Sequence, residues 1–201
     1  MDGKQPAREL RFVLRKAFAE CDEIVKQWEE TFQHAGQIMR SLMNAMERMN
    51  DYVASEGNLG VLSVIPNAEK NLQMKLVRSI ERLLSAANTL LEAFKSLCEK
   101  VGKVLDSVVT QQQDLQESCS CEDLWSGGYH AQPSIADMLE WIYDVQVELR
   151  KELGLREHMM KRINLDAVQS CAGLIDLSQA SLFFNLNRYR ARSDMVKIHC
   201  M

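Results

Sequence analysis

Apolar residues recur along the first quarter of the chain at Leu10, Leu14, Ala17, Cys21, Ile24, Trp28, Phe32, Ala35, Met39, Leu42, Met46, Met49 and Val53. The steps alternate between four and three, except at Trp28, which has a step of four on both sides. Such alternation holds one stripe on one side of an α-helix, and kept up this long it marks a helix that packs lengthwise on others. The doubled step is a stutter, which locally unwinds a supercoil. The pattern predicts a helix over about 8–53, roughly 65 Å long at 1.5 Å per residue. A helix of that length cannot bury its stripe within itself. Trp28 and Phe32 continue the stripe and are read as seam fillers rather than as a partner hot spot. Met39, Met43, Met46 and Met49 are read as core rather than as an adaptable binding face.

The pattern breaks at Ser55–Pro66, SEGNLGVLSVIP. Two glycines and a proline predict a helix-to-helix turn, with the apolar residues from Val61 to Ile65 packed over one end of the bundle. Gly57 and Gly60 are not a phosphate loop, because no GK[ST] follows and no strand precedes them. The seam resumes at Leu72, Leu76, Ile80, Leu83, Ala87, Leu90, Phe94, Leu97, Val101, Val104, Val108 and Leu115, predicting a second helix over 67–116. Gly102 alone interrupts it, at a cost of about 1 kcal/mol relative to alanine. Two helices of similar length joined by a short turn predict an antiparallel hairpin.

Periodicity is lost over an acidic loop, 117–132, and returns in QPSIADMLEWIYDVQVELRKELGLREHMMKRI. Ser134 stands three residues before Asp137, the sequence form of a helix N-cap with an acid at N3, worth about 1 kcal/mol. A third helix is predicted over 134–164. Its stripe is Ile135, Met138 or Leu139, Ile142, Val145 or Gln146, Leu149, Leu153, and Met159 or Met160, with Trp141 at the border. Charge along it runs from Asp137, Glu140 and Asp144 to Arg150, Lys151, Arg156, Lys161 and Arg162. That gradient complements the helix dipole; it also fits a contact element that is acidic toward one partner and basic toward another. Asp166 caps a predicted fourth helix over 167–177. Residues 178–201, with Arg188, Arg190 and Arg192, are expected to be a flexible or partner-ordered tail, and residues 1–7 a disordered N-terminus. The fold expected is all-α: a long antiparallel helical hairpin with a third long helix packed on it, an elongated coiled-coil-like bundle over 8–177.

Composition narrows the function. The net charge of −4 argues against general attraction to nucleic acid or anionic lipid. No apolar run approaches the ~20 residues of a membrane span, and the opening MDGKQPAREL lacks the apolar core of a signal peptide. An intracellular protein is expected, with its six cysteines as thiols rather than a disulfide framework.

Neither G-x-S-x-G, HExxH, Walker A nor a Rossmann glycine set is present, and no Glu-x-x-His pair of the kind used in di-iron bundles. No catalytic, cofactor or metal residue is assigned, and the chain is expected not to be an enzyme. Cys119, Cys121 and His130 are a poor zinc set, since the cysteines are one residue apart and no second pair exists. From Gln111 to Asp144 there are seven acidic residues and no lysine or arginine, a field that suits a basic partner or an ordinary solvated loop. Trp125 and Tyr129 lie in it, either as docking residues or folded back on the hairpin. The candidate partner-binding residues are Trp125, Tyr129, Asp137, Glu140, Trp141, Asp144, Arg150 and Lys151.

The block PSIADMLEW, Pro133 to Trp141, followed by Arg150 and Lys151, resembles the AAA-ATPase-interacting ribosome maturation factor family (AIRIM). LRKAF, Leu14 to Phe18, with Trp28 ten residues on, and the Pro66 segment entering the second helix are similar too. The likeness spans roughly 8–177 and is strongest over 133–141, and no matching motif is recognised after Ser178. It implies a non-catalytic adaptor in a complex with two related type II AAA ATPases and a cyclin-dependent-kinase-interacting helical protein. That complex frees a maturation factor from the precursor of the large ribosomal subunit, in the cytoplasm, and is connected with chromatin and replication in the nucleus. The resemblance implies cytoplasmic and nuclear localisation and only indirect contact with the pre-ribosomal particle. The long seams alone also fit a self-associating structural coiled coil or tethering protein.

Overall fold

The first seam forms α1, Lys4–Ala54, and the second forms α2, Ala68–Gln116, in a computed structural model that describes residues 4–55, 60–116 and 133–163. The third stripe forms α3, Ile135–Arg162. A short 3-10 helix, Gly60–Val64, lies between α1 and α2. The protein is all-α, with no strand among the described residues. The loop over 117–132, the predicted helix over 167–177 and the tail over 178–201 lie outside those residues. α1 starts at Lys4, ahead of the expected Arg8. Pro6 permits this because it falls in the first turn, where a backbone N–H has no intrahelical partner to lose.

Contacts divide the chain into two units to which all three helices contribute. Unit 1 takes α1 up to Glu29, α2 from Lys95 and α3 up to Glu152; unit 2 takes α1 from Glu30, α2 up to Phe94 and α3 from Leu153. On α1 the division falls at the stutter beside Trp28.

In unit 1, α1 and α2 run antiparallel: Gln27 accepts a hydrogen bond from Lys100 at 3.5 Å, and Glu20 shares a groove with Ser107. α3 runs parallel to α1, as the contacts of Arg11 with Pro133 and of Phe18 with Trp141 require. Here the seams close. Leu10, Leu14, Cys21, Ile24 and Trp28 of α1, Leu97, Val101 and Val108 of α2, and Ile135, Met138, Ile142, Val145 and Leu149 of α3 are all buried. Each large aliphatic side chain removed from water in this way stabilises the fold by roughly 1.5–3 kcal/mol. Cys21 behaves as a small apolar residue: burial, with help from Asp22 and Glu20, pushes its thiol up to about 12, so it carries no reactive thiolate at neutral pH.

Gly102 gains a reason that its helix propensity hides. A Cβ there would stand 3.1 Å from Gln146 Nε2 and 4.0 Å from Arg150 Nη2. The glycine lets α3 lay these two side chains directly on the backbone of α2.

In unit 2, α1 and α2 again run antiparallel. Leu42, Met43, Ala45 and Met46 form a buried cluster with Ile80, against which Met39, Met49, Leu83, Leu84 and Ile163 pack while still half exposed. Tyr52 donates a hydrogen bond to Glu69 Oε1 at 3.2 Å. The chain reverses through Gly60, φ 55°, and Asn67, φ 60°, left-handed values that these two residue types tolerate best. The turn corrects one expectation. Val61, Val64 and Ile65 do not pack over the bundle end; they are 89%, 83% and 55% exposed. In a 3-10 helix residues three apart eclipse, so Val61 and Val64 share one edge, and that edge faces outward.

Candidate partner-binding surfaces

α3 begins on a reciprocal cap. The Asp137 N–H donates to Ser134 Oγ at 3.0 Å, while the Ser134 N–H and hydroxyl both donate to Asp137 Oδ2, at 3.0 and 2.7 Å. The capping box thereby satisfies two backbone donors, one at Ser134 and one in the first turn. Arg11 of α1 donates to the carbonyl of Pro133 at 3.1 Å, which fixes where α3 starts. The acid at position 137, read from sequence as cap and contact at once, therefore has its carboxylate engaged by the cap.

Trp141 is half-buried, and its ring meets Phe18 edge-on, with centroids 6.3 Å apart and planes at 81°. Such a pair contributes about 0.5–1.5 kcal/mol beyond the area it buries. Glu140 is exposed and Asp144 half-buried, and steps of three and four place both beside Asp137 and Trp141 along one flank of α3. Arg150 is exposed but belongs to the opposite flank, over Gly102. Lys151 pairs with Glu148 at 2.7 Å within α3. Six of the eight candidates are thus placed: Asp137, Glu140, Trp141 and Asp144 share one flank of α3, which steps of four and three continue through Glu148 to Lys151, while Arg150 stands apart over Gly102. Trp125 and Tyr129, like Cys119, Cys121 and His130, lie outside the described residues. Among the described residues no three of His, Cys, Asp and Glu come together as metal ligands.

Arg156, one of the basic residues toward the end of α3, is only 8% exposed. Its guanidinium lies over two rings, 5.0 Å from the centroid of Phe32 and 4.7 Å from that of Phe94. Stacking between aromatic faces suits the planar, weakly hydrated guanidinium. The signal was available: Arg156 follows Leu149 by seven residues and so lies on the apolar stripe. Beside it, within unit 2, the three helices leave an apolar cleft of about 60 Å³.

Residues 8–186 match the family described as CA109-like, ribosome biogenesis protein C1orf109-like, and the chain belongs to that family. It is 26% identical over 148 residues to a protein of Xenopus tropicalis named AFG2-interacting ribosome maturation factor, covering 74% of this chain and 72% of that one. A Mus musculus protein of the same name is 22% identical over 179 residues, covering 87% of this chain and 80% of the relative. The resemblance seen in PSIADMLEW is therefore to the right family.

Proposed function

We propose that this protein is a non-catalytic adaptor subunit of an AAA ATPase complex of the AFG2 type, acting in cytoplasmic maturation of the large ribosomal subunit precursor. The observation that carries this reading is the family match over 8–186, joined to relatives whose name states an interaction with AFG2. The step served is release and recycling of a maturation factor, with the ATPase supplying the work and this chain supplying attachment. A second helical protein of the cyclin-dependent-kinase-interacting kind completes the complex, and a nuclear pool serves chromatin or replication. The acidic flank of α3 with Trp141, the exposed Val61, Val64 and Ile65, and the long half-open seam of unit 2 are surfaces that such an adaptor would use.

Affinity purification of the tagged chain from cells, with quantitative mass spectrometry, tests the reading. An AFG2-type ATPase should be enriched, and depletion of the chain should leave the maturation factor on cytoplasmic large-subunit precursors in sucrose gradients. Recovery of a discrete homo-oligomer with no ATPase would instead favour a self-associating structural role.

A further inference from the structure

The seam of α1 continues through unit 2, yet between Trp28 and Leu42 no residue of α1 is buried. Phe32, Ala35 and Met39 hold seam positions there and are half exposed. α3 behaves alike: beyond Glu152 only Arg156 is buried, while Leu153, Met159 and Met160 remain partly open. The small residues Ala35, Gly36 and Ala87 stand where larger ones would close the gap, and the apolar cleft lies among them.

Its size restricts what enters. A volume of about 60 Å³ is several times what one water needs, and far below the roughly 300–1,000 Å³ of an ordinary small-molecule site. It admits the end of one aliphatic side chain. Met39, Met159 and Met160 supply an unbranched, polarisable wall that adapts to whatever is inserted. Charge restricts the occupant further. Among the described residues Arg156 is the only charged one lining the cleft, and the exposed Arg40 brings Nη1 to 3.9 Å from the position of a Cβ on Gly36. No carboxylate among the described residues lines it.

We propose that this cleft receives an aliphatic side chain from an acidic helical segment of a partner protein, whose carboxylates meet Arg40. For the partner's identity this rests on the adaptor reading above; for the chemistry of the docking segment it rests on the cleft.

The test uses the full chain with 13C-methyl methionine, titrated with a synthetic helical peptide that carries one leucine among glutamates, and in parallel with a purified AFG2-type ATPase. The peptide should shift the methyl signals of Met39, Met159 and Met160. Ala87→Leu, which fills the cleft from α2, should weaken peptide and ATPase binding about tenfold or more without lowering Tm. Arg40→Glu, at an exposed position, should weaken both several-fold, and a lysine version of the peptide should recover the loss. If Ala87→Leu does not fold, Arg40→Glu still decides.

Methyl signals that ignore the peptide, or that shift with protein concentration alone, overturn the proposal. So does a filled variant that gains stability and binds both partners as before, since the cleft is then a packing void. ATPase binding unaffected by either variant removes the cleft proposal and leaves the adaptor reading. Peptide binding at these methyls without any ATPase binding does the opposite.

Discussion

Unit 1 and unit 2 draw on the same three helices and the same spacing of apolar residues, but they use it differently. In unit 1 the seam positions of α1 from Leu10 to Trp28 are all buried. In unit 2 the next three, Phe32, Ala35 and Met39, are half exposed, and burial resumes only at Leu42. The difference lies in what the facing helices bring. Opposite the closed seam stand Ile135, Met138, Ile142 and Leu149 of α3; beside the open one α3 brings a stacked arginine, and α1 and α2 offer Gly36 and Ala87. Periodicity decides which way a residue points, whereas burial also needs volume from the other side. One region is a closed core, and the other is a seam with room left in it.

Truncation of seam residues should separate the two most clearly. Leu149→Ala in unit 1 removes a fully buried side chain and should cost about 3–5 kcal/mol, while Leu90→Ala in unit 2, partly exposed already, should cost about 1–2 kcal/mol. Chemical denaturation monitored by circular dichroism measures both, and equal losses would erase the distinction. The stacked guanidinium comes next. Arg156→Ala takes the cation from between Phe32 and Phe94 and should cost about 2–3 kcal/mol, whereas Arg156→Met keeps an apolar stem against both rings and should cost less than about 1.5 kcal/mol. A methionine variant as damaged as the alanine one would show that charge, not contact, is what the site needs.

At the start of α3, Ser134→Ala should lower stability by about 1 kcal/mol. Hydrogen exchange should show that loss concentrated in the first turn; uniform loss of protection would mean the cap is not a local device. The smallest contrast lies between two glycines. Gly154 in unit 2 is exposed and a Cβ there would meet nothing, so Gly154→Ala should raise stability by about 0.5–1 kcal/mol through helix propensity alone. Gly102 in unit 1 is buried under Gln146, and Gly102→Ala should forfeit most of that gain because the amide has to move. Thermal melts of the two variants make the comparison, and a full gain at Gly102 would show that Gln146 yields freely.

Much of this was legible beforehand. Long helices follow from seams sustained over dozens of residues, because no other element keeps a 3–4 rhythm so long. The cap at Ser134 could be read from three residues, because capping geometry is local. The stutter at Trp28 marked, unrecognised, the point on α1 where one unit gives way to the other. The errors came where a neighbour decides. Val61 and Val64 were taken for bundle packing because they are apolar, but the pitch of a 3-10 turn aims both outward. Charge alone does not say where Arg156 sits, and its place on the stripe puts it between two phenylalanines.

What the sequence determined by itself is everything governed by short-range periodicity and backbone chemistry: three helices, their inward stripes, the cap, and through PSIADMLEW the family. What only the tertiary structure decided is how completely each stripe is covered. Gly102 and Gly154 are the same residue in the same kind of element, and one is pressed under a glutamine while the other is open. Coverage depends on the volumes that distant segments bring to one place, and no local pattern within a helix encodes that sum.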